Sequence, residues 1–178
     1  MMELWAEILQ RVEKSSILFK ASSLRDERLA ADVKAFFAER GIESERVQIQ
    51  GWTDFIPYMQ LMGRIDIGLD TFPFNGHTTT CHQLWMGVPV VTLVGDTHAS
   101  RMGLSVLSAL GLEELAAGSP QAYVETAVKL AGDPQRLDQL RRETRGRWAE
   151  SGLLDGVRFT RELEAIYGQI AGAKPASP

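Results

Sequence analysis

Hydrophobic positions along the chain alternate between a helical period and short apolar runs. Leu4, Trp5, Ile8, Leu9 and Val12 lie on one helical face, which predicts a helix over residues 3–13. Residues 16–20 read as a short buried strand. Residues 26–40 read as a helix with Leu29, Val33, Phe36 and Phe37 inward and Gly41 as its stop. Next come a strand at 46–50, a short helix at 54–62 with Pro57 in its first turn or at a kink, and a strand at 65–69. A helix at 78–86, a strand at 90–93 and a helix at 100–110 closed by Gly111 follow. Ser119-Pro120 and Asp133-Pro134 each set a capping side chain before a proline at the first helical position. They open helices running to Ala131 and to about Ala149. The last helix, 154–170, aligns Phe159, Leu163, Ile166 and Ile170. Residues 172–178 carry no pattern and are expected to be a disordered tail.

Strands alternating with helices imply βαβ units. The predicted fold class is therefore α/β, a Rossmann-like parallel sheet flanked by helices, with residues 1–171 as one domain. The 178 residues are 44% hydrophobic, with four Trp and seven Phe, enough for one core. No internal repeat is visible. The 19 basic and 23 acidic residues are well mixed, which leaves no basic footprint for nucleic acid. A lone cysteine, Cys81, excludes an intrachain disulfide and fits a reducing compartment. No apolar run nears the ~20 residues of a membrane span, and no signal-peptide pattern opens the chain. A cytoplasmic protein without membrane or nucleic-acid partners is expected. The chain runs straight into its first helical pattern, so it reads as a fragment of a longer protein.

Candidate chemistry centres on residues 66–93. A loop delivers Gly76, His77, Thr78 and Thr79 to the first turn of a helix, beyond the carboxyl end of a predicted parallel strand. Ligands of such sheets bind at that end. Free N–H groups and the positive dipole end suit phosphate, two hydroxyls add donors, and Gly76 permits close backbone approach. Taken alone, the same residues also read as an ordinary helix cap. His77 and His82 stand about 140° apart round a helix, and His77 with Cys81 supplies only two ligands, so no metal is expected. Asp70 and Asp66 read as structural, with Asp70 tying down a turn rather than serving as a general base. Ser100 is a candidate helix cap, and Arg101 a partner for phosphate or a carboxylate. His82 either meets a ligand or packs under Trp52 or Tyr58. Trp85, Met86, Leu93 and Val94 read as core, and the charges of 136–147 as a solvated helix face.

Four motifs, in order, carry a family resemblance: Asp66-Ile67-Gly68-Leu69, Asn75-Gly76-His77-Thr78-Thr79, the run from Leu84-Trp85-Met86-Gly87 to Leu93, and His98-Ala99-Ser100-Arg101. Through them the chain resembles the C-terminal half of the catalytic region of protein O-GlcNAc transferases, glycosyltransferase family 41, including bacterial members attached to tetratricopeptide repeats. Weaker similarity runs from Leu4 to about Ile170. The resemblance implies the nucleotide-sugar-binding domain of a B-type two-domain enzyme. Such an enzyme transfers N-acetylglucosamine from UDP to Ser or Thr of a protein, with inversion and without a metal or other cofactor.

On this resemblance, Asn75, Gly76, His77, Thr78, Thr79 and Arg101 meet the diphosphate and sugar, while Thr53, Tyr58 and His82 meet the nucleoside. Human-like members carry lysine at the Phe55 position and histidine at the Tyr58 position. Tyr58 can still stack on a base, and Phe55 reads as core. Most members carry an aspartate where His82 stands, and neutral imidazole accepts at one nitrogen only, so the ribose contacts differ here. The family's first domain, repeat array, acceptor site and a diphosphate-contacting lysine lie upstream. No catalytic residue is assigned in this stretch, and it is expected to be inactive alone. Two alternatives stay open. One is a transferase or epimerase using another sugar nucleotide. The other is a non-catalytic interaction domain that keeps the fold.

Overall fold

A computed structural model describes residues 1–172. The elements in chain order are α1 (Met2–Arg11), β1 (Ile17–Lys20), α2 (Glu27–Ala38), β2 (Val47–Gln50), α3 (Phe55–Met62), β3 (Gly68–Leu69), α4 (Thr78–Trp85), β4 (Val90–Leu93), α5 (Met102–Ala109), β5 (Ala116–Ala117), α6 (Pro120–Ala131), α7 (Pro134–Glu150) and α8 (Gly156–Gly172). All strand pairings are parallel: β1 with β2, and β3–β4–β5 in that order. The architecture is α/β with a Rossmann-like parallel arrangement, as the alternating pattern predicts.

Local chemistry explains the helix ends. The Asp26 carboxylate accepts from the N–H groups of Arg28 and Leu29, Ser119 from Ala122, and Asp133 from Arg136, each closing a helix start. Gly41 and Gly111 stop α2 and α5 with φ of 75° and 62°, a region that costs other residues strain. Every residue of β4 is buried, and Leu84, Leu107, Tyr123 and Val124 join it in a contiguous core. Helix α6 packs on β4, β5 and α1. A buried hydrogen-bonded chain crosses that seam. Trp5 Nε1–H donates to the Tyr123 hydroxyl at 3.1 Å, and that hydroxyl donates to the Asp70 carbonyl at 3.0 Å. The first helix is thereby tied to the end of β3.

The structure corrects several expectations. β3 spans two residues rather than five, because Ile65 still closes a turn onto Met62 and gives its carbonyl to Arg141. Strand β5 is two alanines with no apolar run to announce it. Ser100 does not cap α5. It is the third residue of a separate 3-10 turn, 98–100, whose cap is Thr97, and α5 starts at Met102. Leu29 faces outward, 41% exposed. Trp85 is also exposed rather than core, because α4 buries Thr80 and Leu84, and the Arg145 guanidinium lies over the Trp85 ring at 5.3 Å. In α8 no residue is buried: Phe159, Ile166 and Ile170 are aligned as predicted, but nothing among the described residues covers them. Apart from Gly172, which ends α8, the tail expected to be disordered lies outside the described residues.

Candidate functional site

The loop between β3 and α4 is held from beneath. Asp70, at the end of β3, is buried, and its Oδ1 accepts from the Thr71 N–H at 2.9 Å and the Gly76 N–H at 2.7 Å. Its Oδ2 accepts from the Thr92 hydroxyl at 2.7 Å. Within the loop, the Thr71 hydroxyl donates to the Phe74 carbonyl at 2.6 Å. Asn75 is fully buried. Its Nδ2 donates to the carbonyls of Thr71 (2.8 Å) and Leu93 (3.3 Å), and its N–H donates to Ala99, joining this loop to the one after β4. The Asn75 side chain thus braces the loop, with Oδ1 left unpartnered.

Gly76 is needed for a different reason from the one the sequence suggests. A Cβ there would stand 2.8 Å from the Thr80 hydroxyl and 3.3 Å from Asp70 Oδ1, so the close approach is to the protein itself. The Thr80 hydroxyl donates to the Gly76 carbonyl at 3.0 Å. With the Gly76 N–H taken by Asp70, the open donors begin after it. His77 occupies the cap position of α4 but makes no side-chain cap. The N–H groups of Thr78, Thr79 and Thr80 have no acceptor among the described residues. His77, Thr78 and Thr79 are exposed. Helices α2, α6 and α7 are closed by side chains, whereas α4, like α1, α3 and α5, has no side-chain cap and leaves its positive end open.

Beside this end lies an aromatic and polar group. His82 is half-buried, and its Nδ1 is 3.3 Å from the Tyr58 hydroxyl. Its ring meets Tyr58 and Phe55 edge-on at centroid distances of 5.5 and 5.7 Å. Burial raises the pKa of the Tyr58 hydroxyl above the ordinary tyrosine value. Tyr58, His82 and Phe55 therefore form one cluster. Phe55 is 60% exposed and is not core, which corrects the sequence expectation. Thr53 is half-buried, and its hydroxyl has no partner. Arg101 is exposed, and its Nη1 donates to the Gly95 carbonyl at 3.2 Å. Among the described residues no three His, Cys, Asp or Glu side chains converge as a metal centre would require. No helix there is long and apolar enough to cross a membrane. A concavity of about 580 Å³ lies elsewhere, between α5 and α7. It is a packing seam, because its Arg147 is spent on the Leu110 and Gly111 carbonyls and on Glu143.

The partners of Asp70 were not singled out in the sequence. The available signal was Thr92, a hydroxyl inside an otherwise apolar buried strand, which must find a partner. Burial raises the Asp70 pKa above 3.8, and the bonds from Gly76, Thr92 and Thr71 oppose that shift only in part. The folded state therefore holds this proton more tightly than the unfolded chain. Its stabilising contribution is full below about pH 4 and is lost as pH rises through the raised value. Melting curves of wild type and Asp70→Asn should thus diverge in favour of the variant between pH 4 and pH 7. A constant gap would contradict this.

The α/β domain opens a helix N-terminus at the carboxyl end of its parallel strands, beside Tyr58, His82 and Phe55, and in α/β folds that end of the sheet is where ligands, anions among them, commonly bind. Comparison with known proteins makes this specific. The model of glycosyl transferase family 41 matches residues 1–163. SPINDLY of Solanum lycopersicum, named a probable UDP-N-acetylglucosamine–peptide N-acetylglucosaminyltransferase, is 38% identical over 93% of this chain and 18% of its own length. A Caenorhabditis elegans protein named UDP-N-acetylglucosamine–peptide N-acetylglucosaminyltransferase is 31% identical, over 95% of this chain and 14% of its own. A solved structure of a mutant Thermobaculum terrenum O-GlcNAc transferase superposes with a TM-score of 0.88 at 33% identity, over 93% of this chain and 32% of that one. The chain belongs to glycosyltransferase family 41. It spans less than a fifth of the length of these curated relatives.

Proposed function

We propose that this domain is the donor half of a glycosyltransferase that moves N-acetylglucosamine from UDP-N-acetylglucosamine to Ser or Thr of proteins. The open N-terminus of α4, with its unpaired N–H groups and the exposed hydroxyls of Thr78 and Thr79, carries the reading. Negative charge accumulates on the diphosphate as the glycosidic bond breaks, and fixed donors stabilise it without reorganising. On this reading no metal is needed, and transfer inverts the anomeric centre. Gly76 and Asn75 set the loop, His77 flanks the sugar, and Arg101 lies on the adjoining loop near the phosphates. Tyr58 stacks on the base, and Thr53 and His82 meet the nucleoside. The acceptor protein and the remaining cleft belong to other parts of a longer polypeptide, so the domain alone binds donor weakly and does not turn over. A cytoplasmic setting suits this chemistry, as does attachment to tetratricopeptide repeats in a bacterial protein.

UDP at about 100 times its dissociation constant should stabilise the domain by roughly 2.7 kcal/mol and raise the melting temperature by about 5–10 °C without Mg²⁺. A shift that requires Mg²⁺, or that AMP reproduces, would count against the reading.

His82 bears on the alternative of a fold that has lost tight nucleotide binding. If its side chain meets the ribose, His82→Asp adds acceptors for both hydroxyls and should tighten UDP by a few-fold. A gain of about 1.5–3 kcal/mol for a charged acceptor is opposed by repulsion from the diphosphate. Binding of the dideoxy analogue should not improve. A lower melting temperature with unimproved UDP binding would place His82 in a packing role against Tyr58 and Phe55.

A further inference from the structure

Residues 71–75 leave the end of β3 and return to α4, and one carboxylate closes both ends of that excursion. Asp70 Oδ1 takes the first N–H of the loop, Thr71, and the N–H that follows it, Gly76. The other oxygen is fixed to β4 through Thr92. Gly103 of α5 leaves the room for this, since a Cβ there would lie 2.7 Å from Oδ2. The arrangement is electrostatically costly for an anion site, because a buried negative charge behind the loop repels an incoming diphosphate. Its gain is geometric. Oδ1 is a single acceptor reached by two N–H groups, and spending the Gly76 N–H internally leaves the following N–H groups, which have no acceptor among the described residues, free for a ligand.

We infer that Asp70 is a positioning residue for the anion loop, holding residues 71–76 closed so that the N–H groups that follow are presented to the donor diphosphate. This rests on the reading of α4 as the diphosphate site. It is the acceptor geometry of Asp70 that matters, and its charge is dispensable. Because Oδ1 alone serves both amides, an asparagine preserves them, and its Nδ2 can donate to the Thr92 hydroxyl.

The test uses the 178-residue chain with UDP as probe, in four forms: wild type, Asp70→Ala, Asp70→Asn and Leu140→Ala. Leu140 is fully buried on α7, outside residues 71–76, so its truncation serves as the stability control. Two readouts are needed, hydrogen exchange at the Thr71 and Gly76 amides and calorimetric UDP affinity without metal. Asp70→Ala should speed exchange at both amides, and weaken UDP, by about tenfold or more. Asp70→Asn should keep the protection and bind UDP as tightly as wild type or more tightly. Leu140→Ala should lower the melting temperature yet leave UDP affinity within about twofold. The inference is overturned if Asp70→Ala keeps protection and affinity. It is also overturned if Asp70→Asn loses as much as Asp70→Ala, or if Leu140→Ala loses UDP in proportion to its instability. If wild type does not bind UDP, the donor reading fails, and exchange at Gly76 in Asp70→Ala alone decides whether the brace exists.

Discussion

Replacing Thr78 and Thr79 together by valine should weaken UDP binding by about 100-fold or more. Each substitution keeps the shape of the side chain and removes one hydroxyl donor. A hydrogen bond to a charged group contributes about 1.5–3 kcal/mol, so two lost donors amount to about 3 kcal/mol at the lower limit. Each 1.4 kcal/mol is about a tenfold change. Both side chains are exposed, so the fold should survive. Valine and threonine have nearly equal helix propensities, so a propensity difference cannot mimic the effect. Calorimetry on the folded double variant checks the expectation. Unchanged affinity would mean that the loop is a helix start and nothing more.

Gly103→Ala should be strongly destabilising. A methyl group there meets the Thr92 hydroxyl and stands 2.7 Å from Asp70 Oδ2 and 2.8 Å from Thr92 Cβ. On an exposed helix the same change would gain about 1 kcal/mol from propensity. Here overpacking costs about 1–3 kcal/mol, and separating Thr92 from Asp70 costs about another 1–3 kcal/mol for buried groups left unpaired. The loss outweighs the gain. For a chain of this size the melting temperature should fall by about 3–15 °C. A melting temperature at or above that of wild type would show that α5 can retreat from the sheet without cost.

Much of the fold was legible because the apolar spacing and the caps agree. Asp26, Ser119-Pro120 and Asp133-Pro134 begin helices where their chemistry demands, and Gly41 and Gly111 end them with positive φ. What stayed hidden depends on three-dimensional neighbours. Ala116-Ala117 forms a strand only because β4 stands beside it. Trp85 and Leu29 have the composition of core residues, but their helices bury other positions. The pattern of α8 announced an amphipathic helix and could not say what covers it.

The site divides in the same way. Thr78 and Thr79 at an open helix end follow from local sequence. The anchoring of the loop by Asp70, Thr92 and Gly103 joins residues 22 and 33 positions apart along the chain, a pairing that spacing cannot predict. Glycine at position 76 was legible as a necessity, although the atoms that demand it are Thr80 and Asp70.

The most direct measurement of the central claim is a titration of the isotopically labelled domain with UDP, followed at the backbone amides without divalent metal. The open end of α4 predicts that the His77, Thr78, Thr79 and Thr80 amides shift most and saturate together, with Tyr58 and His82 following. UMP, lacking the second phosphate, should move the nucleoside residues and leave the Thr78 and Thr79 amides nearly still. Saturating UDP that leaves those two amides unmoved, or that shifts them only after Mg²⁺ is added, would contradict the assignment of this helix end as the diphosphate site.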